Sequence, residues 1–319
     1  MFESLEYRQL LATTDLASIV SPLISPSRTA MSGAILDSPQ GDSSLRMQSS
    51  DGRYLVFVSN SQNLVAVGTL PPGMQQVYRY DRVNHEVVLV SVASDGVNGG
   101  NGKSDSPTIS ADGTRVAFRS EATNLNLMDQ DNYPDIYVRE LGNQPNTILA
   151  SVNNAGTSKG NSYSFNPRIS ANGSRVVFHS YSSNIDPRDA DANSDIYVRD
   201  LELPATFLAS VNADGTIKGN NTSQEASISA DGTRIAFSSY ASNLDPLDQD
   251  NGSDIYVREL DDTPTTILVS VNGEGTVKGN GSSESPVISA NGKRVAFESS
   301  ATNFDPLDRD QIPDVYVRT

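Results

Sequence analysis

Cysteine and tryptophan are absent from this chain, histidine occurs only twice, and lysine plus arginine number 23 against 39 acidic residues. Each shortage closes a class of function. Without cysteine there are no disulfide staples and no thiol chemistry. The two histidines, His85 and His179, stand at unrelated points of the pattern described below, so no histidine-based site is indicated. A formal charge of −16 leaves no basic face for a phosphate backbone, which excludes nucleic acid as a partner. No apolar run reaches the 18 or so residues of a membrane-spanning helix. Carbohydrate sites often rely on exposed tryptophan; here only tyrosine could serve.

What is present is repetition. An Asp-Gly or Asn-Gly turn recurs at Asp51, Asp112, Asn172, Asp231 and Asn291, and an Asp-Ile/Val-Tyr-Val-Arg segment at Asp135, Asp195, Asp254 and Asp314. Both recur about every 60 residues, as supersecondary units do that bury their faces against their neighbours. Each unit divides into four short runs rich in Ile, Val, Phe, Tyr and Thr, such as "EASIS", "TRIAFSS", "DIYVREL" and "TTILVSVN". These compositions predict strands. Ala230-Asp231-Gly232 joins the first two as a tight hairpin. The fold class is therefore all-β: a β-propeller of four-stranded antiparallel blades, five in number.

The motifs "ISADGTRVAF" and "DIYVREL" and their copies resemble the WD-repeat-like propeller repeats of the TolB type over residues 44–319. The resemblance implies a disc whose loops hold a protein partner. The first unit departs from it, with "QVYRYD" in place of "DIYVRD" and no acidic loop. Residues 1–43 read as leader and linker. Within them, "FESLEYRQLLAT" resembles the LEPR-type motif near the N-termini of exported planctomycete proteins, with Tyr7 where that motif has proline. That resemblance implies an extracytoplasmic location: periplasmic, secreted or at the cell surface. The last unit stops at "DVYVRT" without a fourth run, and residues 32–38, "SGAILDS", offer a strand to close it; the alternative is an open fragment of a longer propeller or of a larger protein.

One loop per unit concentrates the acidity, between the second and third strands. Its copies are Asn126, Asp129, Asp131 and Asp135; Asp186, Asp189, Asp191 and Asp195; Asp245, Asp248, Asp250 and Asp254; and Asp305, Asp308, Asp310 and Asp314. Hard oxygen ligands at D-x-D-x-x-x-D spacing suit a cation such as Ca²⁺, so these sixteen residues are candidate ligands of a structural calcium ion. An EF-hand is excluded. Glu140, Asp200 and Glu259 sit at the twelfth position, but about 16 Å of strand separates them from the seventh. The competing reading is that the Asp and Asn side chains only fix turns by accepting backbone N–H bonds.

Lys159, Lys218 and Lys278 recur in polar connections between units and read as flexible linkers on the acidic-loop face. Arg115, Arg175, Arg234 and Arg294, and Arg139, Arg199, Arg258 and Arg318, recur as snorkelling or inter-blade pairing residues. Tyr137, Tyr197, Tyr256 and Tyr316 suggest packing between blades. No G-x-S-x-G elbow occurs, and acids copied into four units do not make the asymmetric pair a glycosidase needs. The expectation is a non-catalytic, calcium-stabilised scaffold or protein-binding module. The alternative is the accessory propeller of a larger peptidase or glycosidase.

Overall fold

A computed structural model describes residues 34–35, 47–65, 68–260 and 263–319 of the 319-residue chain. Its described secondary structure is strand, in five antiparallel sheets that follow one another along the chain. The first holds β1 (Ala34–Ile35), β2 (Tyr54–Ser59), β3 (Gln76–Asp81) and β4 (Glu86–Leu89). The second holds β5 (Ser104–Ile109), β6 (Arg115–Ser120), β7 (Asp135–Glu140) and β8 (Asn146–Leu149). The third holds β9 (Ser164–Ile169), β10 (Arg175–Ser180), β11 (Asp195–Asp200) and β12 (Ala205–Leu208). The fourth holds β13 (Ser223–Ile228), β14 (Arg234–Ser239), β15 (Asp254–Glu259) and β16 (Thr266–Leu268). The fifth holds β17 (Ser283–Ile288), β18 (Val295–Ser299) and β19 (Asp314–Arg318). Within each sheet spatial order follows chain order, as in a propeller blade.

Alternation puts each strand's apolar residues on both faces, so every blade is glued to the next. Val56, Val58 and Val77 of blade one pack against Val116, Phe118 and Tyr137 of blade two. Ala117, Ile136 and Val138 on the far side of blade two meet Phe178 and Tyr197 of blade three, and the same exchange recurs onward. On the last sheet Val315 and Val317 are 72% and 63% exposed, where their counterparts Ile136 and Val138 are buried.

At the hairpin of Asp231-Gly232, Gly232 takes φ 77°, while Asp231 accepts the Thr233 N–H at 3.0 Å and the Ser229 hydroxyl at 2.6 Å. One expectation changes here. Segment 32–38 does not close the last blade at the two residues described. Ala34 and Ile35 pair with Ser59 and Val58, so they fill the innermost-strand slot of blade one. The Ile-Leu match to an outer strand misled, because a short apolar pair fits either edge of a blade; the rest of 32–38 lies outside the described residues.

The innermost strand of blades two to five carries one further shared device. Ser106, Asn166, Glu225 and Ser285 have φ between 50° and 55°, each inside a register shift of its strand pair. A bulge with a left-handed residue re-aims the neighbouring side chains.

Candidate functional site

Each acidic loop leaves the second strand of its blade and enters the third at Asp135, Asp195, Asp254 or Asp314. The structure brings three of the four expected ligands together in blades two, three and four. Oxygens of Asp129, Asp131 and Asp135 lie within 4.8 Å of one another, as do those of Asp189, Asp191 and Asp195, and of Asp248, Asp250 and Asp254. The fourth is not part of these groups. Asn126, Asp186, Asp245 and Asp305 instead accept the N–H groups of Met128, Arg188, Leu247 and Leu307, which is the turn chemistry of the competing reading.

Among the gathered carboxylates stands a lysine. Lys159 Nζ is 2.8 Å from Asp135, 3.1 Å from Asp131 and 3.8 Å from Asp129. Lys218 repeats this with Asp195, Asp191 and Asp189 at 2.7, 3.1 and 3.7 Å. Lys278 does so with Asp254, Asp250 and Asp248 at 2.5, 3.1 and 3.6 Å. These side chains are only 9–11% exposed, so the connections that looked flexible are anchored. The remaining oxygens are used as well. Ser151, Ser210 and Ser270 donate to Asp135, Asp195 and Asp254 at 2.6–2.7 Å. Tyr137, Tyr197 and Tyr256 donate to Asp129, Asp189 and Asp248 at 2.5–2.6 Å. The recurrent tyrosine therefore does more than pack.

The first blade acts as an internal control. In blade one Gln76 replaces the aspartate and Gly99 the lysine, as the matching bridges Val92–Gly99 and Val152–Lys159 show. The Gln76 amide donates to the Gly100 carbonyl at 3.0 Å, and Gln76 accepts from Ser91 at 2.7 Å. Lys159 donates to the equivalent Gly160 carbonyl at 3.1 Å, and Ser151 is the counterpart of Ser91. One neutral amide thus replaces an ion pair, and acid and lysine are lost together. In blade five Tyr316 still donates to Asp308 at 2.6 Å, and Asp308, Asp310 and Asp314 form no converging group among the described residues. Each of the three converging trios holds a lysine ammonium.

Electrostatics fit a buried, overcrowded cluster. Burial pushes the Asp135 and Asp195 carboxyls up to about 7 and that of Asp254 to about 6, although hydrogen bonds from lysine and serine pull the other way. Burial also raises Asp129 and Asp189, against the hydrogen bonds from Tyr137 and Tyr197. For the lysines burial works to lower the pKa. Hydrogen bonds to Asp135, Asp195 and Asp254 more than offset it, so all three stay above the ordinary lysine value.

The recurrent arginines divide into a set at the seams between blades and a set that bonds a threonine of its own blade. Arg115, Arg175 and Arg234 donate to the carbonyls of Gly173, Gly232 and Gly292 in the next blade at 2.9–3.1 Å. Arg139, Arg199 and Arg258 donate to Thr147, Thr206 and Thr266 at 2.8–3.1 Å. His85 Nδ1 lies 2.9 Å from the Tyr80 hydroxyl, and His179 lies among aromatic rings. The sequence reading missed the lysines as cluster members. Their signal was a period shared with the acids and a joint absence from blade one.

No protein-family model matches the sequence, and no curated protein does. Solved structures do resemble it. TolB from Acinetobacter baumannii is 15% identical at TM-score 0.44, covering 81% of this chain, which spans 51% of that one. A putative TolB from Agrobacterium tumefaciens is 18% identical at TM-score 0.45, covering 86% and 75%. The β-propeller domain of the trilobed protease from Pyrococcus furiosus is 12% identical at TM-score 0.46, covering 83% and 66%. TolB and a protease propeller thus stand among the structures this chain resembles.

Proposed function

We propose that the chain is a non-catalytic propeller that works outside the cytoplasm as a scaffold or protein-binding module. The observation that supports this is the equivalence of the clusters in blades two, three and four. Hydrolysis by paired carboxyls needs one acid and one base in different environments. Here each buried acid has the same structural partners in three copies, which leaves no single reaction centre. Location outside the cytoplasm rests on the motif at residues 2–13, outside the described residues. Among the described residues no helix is long and apolar enough to cross a membrane.

The cation that stabilises these blades is the lysine ammonium. Calcium is the second reading, favoured by the three carboxylates within 4.8 Å in each cluster; it would have to displace the lysine. The purified protein should not turn over peptide or glycoside substrates. Turnover abolished by Asp195→Asn would overturn the non-catalytic reading.

A further inference from the structure

Blades two to five follow one pattern, and they depart from it at positions around the innermost strand. Core positions hold Phe118, Phe178, Phe237 and Phe297 without change. At the head of the innermost strand the copies instead read Lys103 and Asp105, Tyr163 and Phe165, Thr222 and Gln224, Ser282 and Glu284. Around the end of the second strand they read Arg119 and Glu121, His179 and Tyr181, Ser238 and Tyr240, Glu298 and Ser300. In blade three all four of these positions are aromatic.

The rings form one continuous surface. Tyr163 stacks on Phe165 with centroids 6.0 Å apart and planes 9° apart. Phe165 meets Tyr181 edge-on at 6.3 Å and His179 at 5.5 Å. From the acidic loop of blade two, Tyr133 closes edge-on against Tyr163 at 4.8 Å. The backbone beneath is fixed: Tyr181 N–H donates to the Tyr163 carbonyl at 2.9 Å, and Ser164 N–H to Pro134 at 2.8 Å. Yet Tyr133, Tyr163 and Tyr181 remain 40%, 45% and 38% exposed. The recurrent tyrosines of the blades spend their hydroxyls on aspartates, whereas these three hydroxyls have no hydrogen-bond partner among the described residues.

We propose that this platform binds neutral carbohydrate, stacking pyranose rings on Tyr163 and Tyr181 and hydrogen-bonding sugar hydroxyls through the three phenols. Flat apolar faces edged by unused polar groups suit a ligand that presents C–H faces and hydroxyls together. Charge argues for a neutral ligand. The Arg119 guanidinium already lies 5.4 Å from the Phe165 centroid, where a cationic ligand would have to go. The same guanidinium is committed to Asp105 at 2.6 Å, so it is not offered to an anion. A purely apolar peptide face would cover the rings and bury phenol hydroxyls without partners, which costs free energy. The site lies on residues that the scaffold reading does not use, so either can fail alone.

Calorimetric titration of the full chain with cellohexaose, and separately with mannohexaose, tests this. At least one should bind, and Tyr163→Ala or Tyr181→Ala should weaken it at least tenfold while leaving the melting temperature nearly unchanged. Tyr133→Ala, in a loop, is a second variant should a strand substitution disturb folding, and Tyr240→Ala in blade four should have no effect on binding. No binding of either sugar, binding untouched by the alanine variants, or tighter binding of a proline-rich peptide would each overturn the proposal.

Discussion

Lys159 reaches back from the connection after blade two and sets its ammonium 2.8 Å from Asp135, a residue 24 positions earlier. The same step recurs from Lys218 to Asp195 and from Lys278 to Asp254. It ties the connections after blades two, three and four to the third strand of the blade just completed.

Removing both partners should therefore cost less than the two single losses added together. Lys218→Met leaves Asp189 and Asp195 buried without their cation, at about 3–5 kcal/mol. In a double-mutant cycle, Lys218→Met with Asp195→Asn should cost less than the sum of the singles by more than about 1 kcal/mol. Urea unfolding at pH 7 measures this. Strict additivity would mean that the two groups do not interact.

The last blade supplies a matched comparison. Val198 and Val317 occupy the same place in the repeat, the first fully buried and the second 63% exposed. Val198→Thr buries a hydroxyl and should lower stability by about 1–3 kcal/mol. Val317→Thr should stay within about 0.5 kcal/mol of the parent. Equal losses would show that the outer face of β19 is covered in solution.

His179 sets an acid-side dependence. Burial, reinforced by the positive charge of Arg168, lowers its pKa from 6.5 to about 4. A depressed folded-state value contributes stability above pH 6.5 that is lost as pH falls toward 4. Against a His179→Phe variant, which cannot take up that proton, the parent should lose melting temperature progressively between pH 6.5 and 4. A difference between the two that is flat across this range would contradict the assignment.

The repeat made most of the fold legible. A 60-residue period with strand-like runs and Asp-Gly turns fixes blades, strand order and the address of the acidic loops, because each follows from local composition and hairpin geometry. The loop's own spacing, however, speaks only about residues within it. Lys159 enters the cluster through the Val152–Lys159 bridge, a pairing that places the connection over the loop. Local pattern does not show that, and Gly- and Asn-rich surroundings argue for mobility instead. The period that the lysines share with the acids and the coupled loss seen at Gln76 and Gly99 were the available clues. The aromatic platform was hidden for a related reason: Tyr133, Tyr163 and Tyr181 come from three separate segments and share no period.

The central claim is that the acidic loops of blades two to four carry their own cation. Scanning calorimetry of the parent chain in EDTA and in millimolar calcium tests it most directly. With lysines in place the two melting temperatures should coincide, and only a variant lacking Lys159, Lys218 and Lys278 should respond to calcium. A calcium site held at a hundredfold excess over its dissociation constant adds about 2.7 kcal/mol. A parent chain that melts several degrees higher in calcium would show that the ion, and not the lysine, holds these loops.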